Sequence, residues 1–81
     1  MKLINKINNY LFENDYKIIL TEKYINIQNY KEIINFSLNL IELRCDKEII
    51  SIEGNNLTIS KMIKDEVLIQ GTVYNISIKN S

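Results

Sequence analysis

Cys45 is the single thiol of this chain, which contains no histidine and no tryptophan. That combination limits the available chemistry. A nucleophile needs a neighbouring base, and histidine is the side chain that ordinarily titrates near neutral pH. Neither a Cys–His pair nor a Ser–His–Asp triad can be assembled from these residues. One cysteine cannot supply the ligands of a structural zinc site. No Gly-rich phosphate loop ending in Lys-Ser or Lys-Thr is present. Two carboxylate pairs remain, Asp46 with Glu48 and Asp65 with Glu66. Both fall in polar stretches that read as turns, where solvated charge is the simplest role. Calcium loops space their acids far more densely. Cys45 ends an alternating run and reads as a small buried hydrophobe. No catalytic, cofactor-binding or metal-ligating residue is assigned, and no enzymatic activity is expected.

A second class of function is binding to nucleic acid. Tyr10, Tyr16, Tyr24, Tyr30 and Tyr74, with Phe12 and Phe36, are numerous enough to stack on bases. Stacking platforms lie in basic grooves, however. Here ten basic residues are balanced by ten acidic ones, for a formal net charge of zero. A small β-barrel nucleic-acid-binding module is therefore the alternative reading, and nucleic acid is not an expected partner.

The elements that would position any site follow from periodicity. Leu3, Ile4, Ile7, Tyr10 and Leu11 recur at intervals of three and four, which predicts a short amphipathic N-terminal helix or tail. These residues are candidates for docking on a partner. From Tyr16 the period changes to two: Tyr16, Ile18 and Leu20 share one face. Strands are predicted at Tyr24 to Gln28, Glu32 to Phe36, Leu40 to Cys45, Ile49 to Glu53, Leu57 to Lys61 and Val67 to Ile78. Gly54-Asn55-Asn56 reads as a turn between two of them, since Gly and Asn tolerate positive φ best. Gly71 falls inside the last strand. The apolar phase slips after it, as at a β-bulge. The fold class is all-β: an antiparallel meander rolled into a small barrel or sandwich. A domain of 81 residues has a thin core, and self-association is a common remedy. A lone cysteine suits a reducing compartment. No apolar run approaches the roughly 20 residues of a membrane-spanning helix, and Met1 to Asp15 lacks the core of a signal peptide. A cytoplasmic location is expected.

The two glycines sit in a repeated phrase. Ile50-Ser51-Ile52-Glu53-Gly54-Asn55-Asn56-Leu57-Thr58-Ile59 is echoed by Val67-Leu68-Ile69-Gln70-Gly71-Thr72-Val73. An earlier element, Ile25-Asn26-Ile27-Gln28-Asn29, precedes a short apolar strand. In order and spacing these three stretches, from Tyr16 to Ile78, resemble the YabP/YqfC family of sporulation proteins, and the short segment before the second strand is more similar to YqfC than to YabP. The family's acid before Asn29 is Gln28 here. The motif residues carried by the resemblance are Asn29, Gly54, Leu57, Ile59, Ile69 and Gly71, in structural roles.

The resemblance implies a non-enzymatic protein of endospore formation in a low-GC Gram-positive bacterium, expressed in the mother cell. It implies action through protein–protein contact, as a homo-oligomer (a dimer) and with a YqfD-like sporulation membrane protein. Residues 1–15 would then be an amphipathic docking segment and residues 16–81 the β domain. The domain would stay cytoplasmic or lie peripherally at the membrane around the forespore.

Overall fold

The computed structural model describes residues 9–13, for which the backbone alone is considered, and residues 16–80. Seven strands follow one another among the described residues. They are β1 (Asn9–Glu13), β2 (Lys17–Thr21), β3 (Ile25–Gln28), β4 (Glu32–Phe36), β5 (Leu40–Cys45), β6 (Glu48–Ile63) and β7 (Glu66–Asn80). They form one sheet in the order β1-β2-β3-β7-β6-β5-β4, and every neighbouring pair is antiparallel. The all-β antiparallel class read from the sequence is the observed one, and the order departs from a simple meander where β3 pairs with β7 and the chain crosses to β4 at the far edge.

The long hairpin β6–β7 organises the molecule. A straight strand of 16 residues would be about 50 Å long, yet the largest dimension of the protein is 28 Å. The hairpin must bend. Its register shifts locate the bend, between Glu53 and Gly54 and again between Asn55 and Thr58. On one side of it, Glu48 to Glu53 pair with Asn75 to Asn80 and carry β5 and β4. On the other, Thr58 to Ile63 pair with Glu66 to Gln70 and carry β3, β2 and β1.

Each arm turns one apolar face inward. Ile18, Ile25, Ile27, Val67 and Ile69 come from one arm, and Ile41, Leu43, Cys45, Ile50, Ile52 and Ile76 from the other. With Tyr16 and Leu57 they form a single buried cluster. One bent sheet therefore makes both layers of the core.

Both two-residue hairpin loops place their first residue at positive φ, Asp46 at 58° and Lys64 at 51°. Such loops match the right-handed twist of the strands they join. Asn29, at φ 68°, turns the chain out of β3, and its N–H donates to the carbonyl of Asp65 at 2.7 Å. The bend frees backbone groups that a regular ladder would satisfy. The turn after β4 supplies partners: the N–H groups of Gly54 and Leu57 donate to the carbonyls of Asn39 and Leu38, at 3.0 and 2.9 Å.

Two expectations change. The strands anticipated on either side of Gly54-Asn55-Asn56 are one continuous bent strand, because the bulged chain keeps pairing with β7 through the bend. The helical spacing that included Tyr10 and Leu11 is also overruled there. Asn9–Glu13 is an edge strand, with Tyr10 opposite Leu20 and Leu11 opposite Ile19. Pairing with β2 gives these backbone groups partners, whereas Asn is a poor helix former. Leu3, Ile4 and Ile7 lie outside the described residues.

Candidate protein-interaction site

Gly54, Leu57 and Gly71 meet at the corner of the fold, with Ile59 and Ile69 paired just beyond it, whereas Asn29 lies apart at the end of β3. Gly54 lies opposite Val73, and Asn55 opposite Thr72. A Cβ built on Gly54 would stand 1.9 Å from the Thr72 carbonyl oxygen. Gly71 adopts φ +130°, and a Cβ there would stand 2.7 Å from the Asn56 carbonyl oxygen. The repeated phrases thus place their glycines where two strands of the bend pass in close contact. Leu57 is fully buried beside them, Ile69 is buried, and Ile59 packs against the same core. Asn56 takes the positive φ that the sequence allowed for this segment, at 53°. These residues shape the sheet.

The reactive candidates are held in packing and polar pairs. Cys45 is fully buried. Burial, and secondarily the nearby Glu48 charge, push its thiol up to about 11, against a smaller opposing effect of Lys31. The thiol is therefore protonated at neutral pH. Because its ordinary value is about 9, it contributes stability that is complete below pH 9 and fades as pH rises through about 11. Unfolding free energy should fall by about 2 kcal/mol across that interval. Chemical denaturation at pH 8 and pH 10.5 checks this, and the pH slope should be shallower in Cys45→Ala.

Two carboxylates read from sequence as solvated turn charges have specific partners. The buried Tyr16 hydroxyl donates to Glu48 Oε1 at 2.6 Å, tying the start of β2 to the start of β6. Burial, with the Glu48 hydrogen bond and charge, raises the Tyr16 hydroxyl well above the ordinary phenol range. Glu66 Oε2 accepts from Asn26 Nδ2 at 2.8 Å, and Gln28 Nε2 donates to Asn26 Oδ1 at 2.9 Å. Asn26 is buried although it interrupts two core isoleucines. Its place in Ile25-Asn26-Ile27 was the available signal, since the alternation sends it to the opposite face from the core. Tyr16 is buried and Tyr30 packs on the core, so neither is presented for base stacking.

Besides Tyr74 on β7, exposed apolar surface lies in two places among the described residues. On the outer face of the β1–β2–β3 arm, a groove of about 360 Å³ is lined by Ile19, Tyr24, Ile63 and Leu68, with Asn26, Lys61 and Glu66. Met62 is exposed on the same arm. At the far end of the sheet, β4 pairs with β5, and among the described residues no strand lies on its other side. Ile34, Phe36 and Leu38, on β4 and the turn after it, are 43%, 58% and 59% exposed. This arrangement can bind a protein strand or an apolar segment. Among the described residues no helix is long and apolar enough to cross a membrane.

Fold and surface together define a small all-β domain whose distinguishing residues build a bent sheet and leave an apolar edge exposed. The chain belongs to the YabP family, whose family model matches residues 13–81. No curated protein and no solved structure matches it.

Proposed function

We propose that this chain is a non-enzymatic protein of endospore formation that acts through protein–protein contacts. Its partners are a second copy of itself and a sporulation membrane protein of the YqfD type. The place of action is the mother-cell side of the membrane around the forespore. The family match over residues 13–81 carries the link to sporulation. The exposed apolar edge at β4 and the apolar groove support a role in contact. The glycines that carry the family resemblance act on backbone geometry, which favours a role in shaping the sheet over a role in a reaction centre.

Deleting the gene in its host tests the reading. Heat-resistant spore counts should fall by at least tenfold while vegetative growth is unchanged, and microscopy should show arrest after the forespore forms. Normal spore counts in the deletion strain would count against it.

A further inference from the structure

We propose that residues 1–8 fold back over the outer face of the β1–β2–β3 arm and seat Leu3, Ile4 and Ile7 in the apolar groove there. The occupant is the chain's own N-terminal segment, so the contact is intramolecular. This goes beyond the reading above and does not depend on it. A partner would reach the groove only when the segment leaves it.

The register defines the groove. Ile19, Asn26, Leu68 and Lys61 are successive cross-strand neighbours on β2, β3, β7 and β6. Along each of the first three strands they alternate with the buried Ile18, Ile27, Val67 and Ile69, so this row faces away from the core. Tyr24 lines one end of the groove, and the cross-strand pair Ile63 and Glu66 lines the other.

Three observations select the occupant. First, the segment begins at the rim of the groove. Asn9, the residue that follows it, pairs with Thr21, and the Thr21 N–H donates to the Tyr24 carbonyl at 3.0 Å. The inner face of the sheet is filled by the packed core. The other end of the chain is remote, since Asn80 pairs with Glu48 on the second arm. Second, the length suffices. From β1, β3 is the second strand along and β7 the third, at about 10 and 14 Å for ordinary strand spacing. Eight residues reach about 12 Å as a helix and about 26 Å extended. The segment therefore arrives over β3 in the one case and over β7 in the other.

Third, the chemistry matches. Leu3, Ile4 and Ile7 are the part of the apolar stripe that β1 does not use. A helix this short is not stable in water without a surface to pack on, and Ile19, Tyr24, Ile63 and Leu68 provide an apolar one. The charged side chains of residues 1–8 are Lys2 and Lys6, with no acid among them. Glu66 Oε2, which accepts from Asn26 and Gln28 amides at 2.8 and 3.4 Å, offers one of them a carboxylate. Lys61 lies on β6, the groove strand farthest from β1.

The test is methyl nuclear Overhauser spectroscopy on the full-length chain with labelled isoleucine and leucine. Cross-peaks should join Leu3, Ile4 or Ile7 to Ile19, Ile63 or Leu68 and should persist on dilution. In the double variant Ile4→Lys with Ile7→Lys they should vanish, while the core methyls of Ile41 and Leu43 keep their shifts. Fluorescence of added anilinonaphthalene sulfonate, which reports exposed apolar surface, should then rise by about threefold. Leu68→Lys, from the groove side, should also release the segment. Phe36→Lys, at the far edge of the sheet, should leave the cross-peaks in place. A wild-type spectrum without these cross-peaks overturns the proposal whatever the variants do. Cross-peaks found only between labelled and unlabelled copies overturn it by seating a second copy in the groove. Cross-peaks that survive in Leu68→Lys, or dye fluorescence unchanged in the double variant, overturn it as well.

Discussion

Gly54→Ala should abolish the folded state, although it adds a single methyl group. The new Cβ would lie 1.9 Å from the Thr72 carbonyl oxygen and 3.0 Å from its carbon. Both are main-chain atoms of β7, so no side-chain rotation relieves the overlap. Its third neighbour, Leu57 Cδ2 at 2.9 Å, belongs to a fully buried side chain. Relief requires the two strands to separate at the bend, where Gly54 pairs with Val73 and Asn55 with Thr72. The same movement would pull Gly54 and Leu57 away from the turn carbonyls that accept their N–H groups. A loss of more than about 4 kcal/mol is expected, among the largest values for point substitutions. Small domains have little more than that in total. The amide proton spectrum of the variant should collapse to the narrow dispersion of an unfolded chain. A dispersed spectrum with a wild-type urea midpoint would refute the close-approach argument. Asn55→Ala at the adjoining exposed residue, whose amide donates to the Tyr74 hydroxyl, should cost less than about 1 kcal/mol.

Gly71→Val should be nearly as damaging, for a different reason. Gly71 holds φ +130°, a conformation that side chains disfavour, and a branched Cβ disfavours it most. A Cβ would also stand 2.7 Å from the Asn56 carbonyl oxygen and 3.0 Å from the Leu57 Cα. Strain of this backbone type costs on the order of 1–3 kcal/mol, and the overlap adds to it. Together they should destabilise the protein by about 4 kcal/mol. Urea unfolding of Gly71→Ala and Gly71→Val separates the contributions. Alanine carries the Cβ overlap and the backbone strain, and valine adds crowding from its two methyl groups. A Gly71→Val protein with an unchanged midpoint and an unchanged mass would remove the corner from the account.

Much of the sheet is legible from local pattern. β4 and β5 occur at Glu32–Phe36 and Leu40–Cys45, where composition and flanking polar turns placed them. Tyr16 and Ile18 are buried on one face as their spacing requires, and Leu20 packs beside them. The phase slip is real but falls after Val73: Val67, Ile69 and Val73 face the core before it and Ile76 after it, and Tyr74 is the extra residue of β7 between Val73 and Asn75. Tyr74 departs from that pattern. It shares the parity of Ile76 but is 61% exposed, with its hydroxyl accepting from Asn55. At the N-terminal edge, spacing was misleading because Tyr10, Leu11 and Phe12 are consecutive and carry no alternation. Such a run becomes a strand only because β2 lies next to it.

The candidate site was less legible than the fold. Gly54 could be recognised as a backbone device, but its requirement is proximity to Thr72, which is 18 positions away in the chain. Its own φ is not in the left-handed region, and the residue that takes positive φ is Asn56. The partners of Glu48 and Glu66 are likewise remote, at Tyr16 and Asn26.

What sequence alone determined is what depends on neighbours along the chain. Alternation with period two set the all-β class and most strand positions. The absence of histidine and the single cysteine closed off the familiar catalytic arrangements. The paired glycine phrases carried the likeness to the YabP family. What only tertiary structure decided is which strands sit side by side and where the sheet folds over. Hydrogen-bond ladders and close backbone contacts join residues far apart in sequence, and local propensity carries no record of them. The bend at Gly54 and Gly71, the burial of Cys45 between the arms and the exposed apolar edge at β4 all arise at that level.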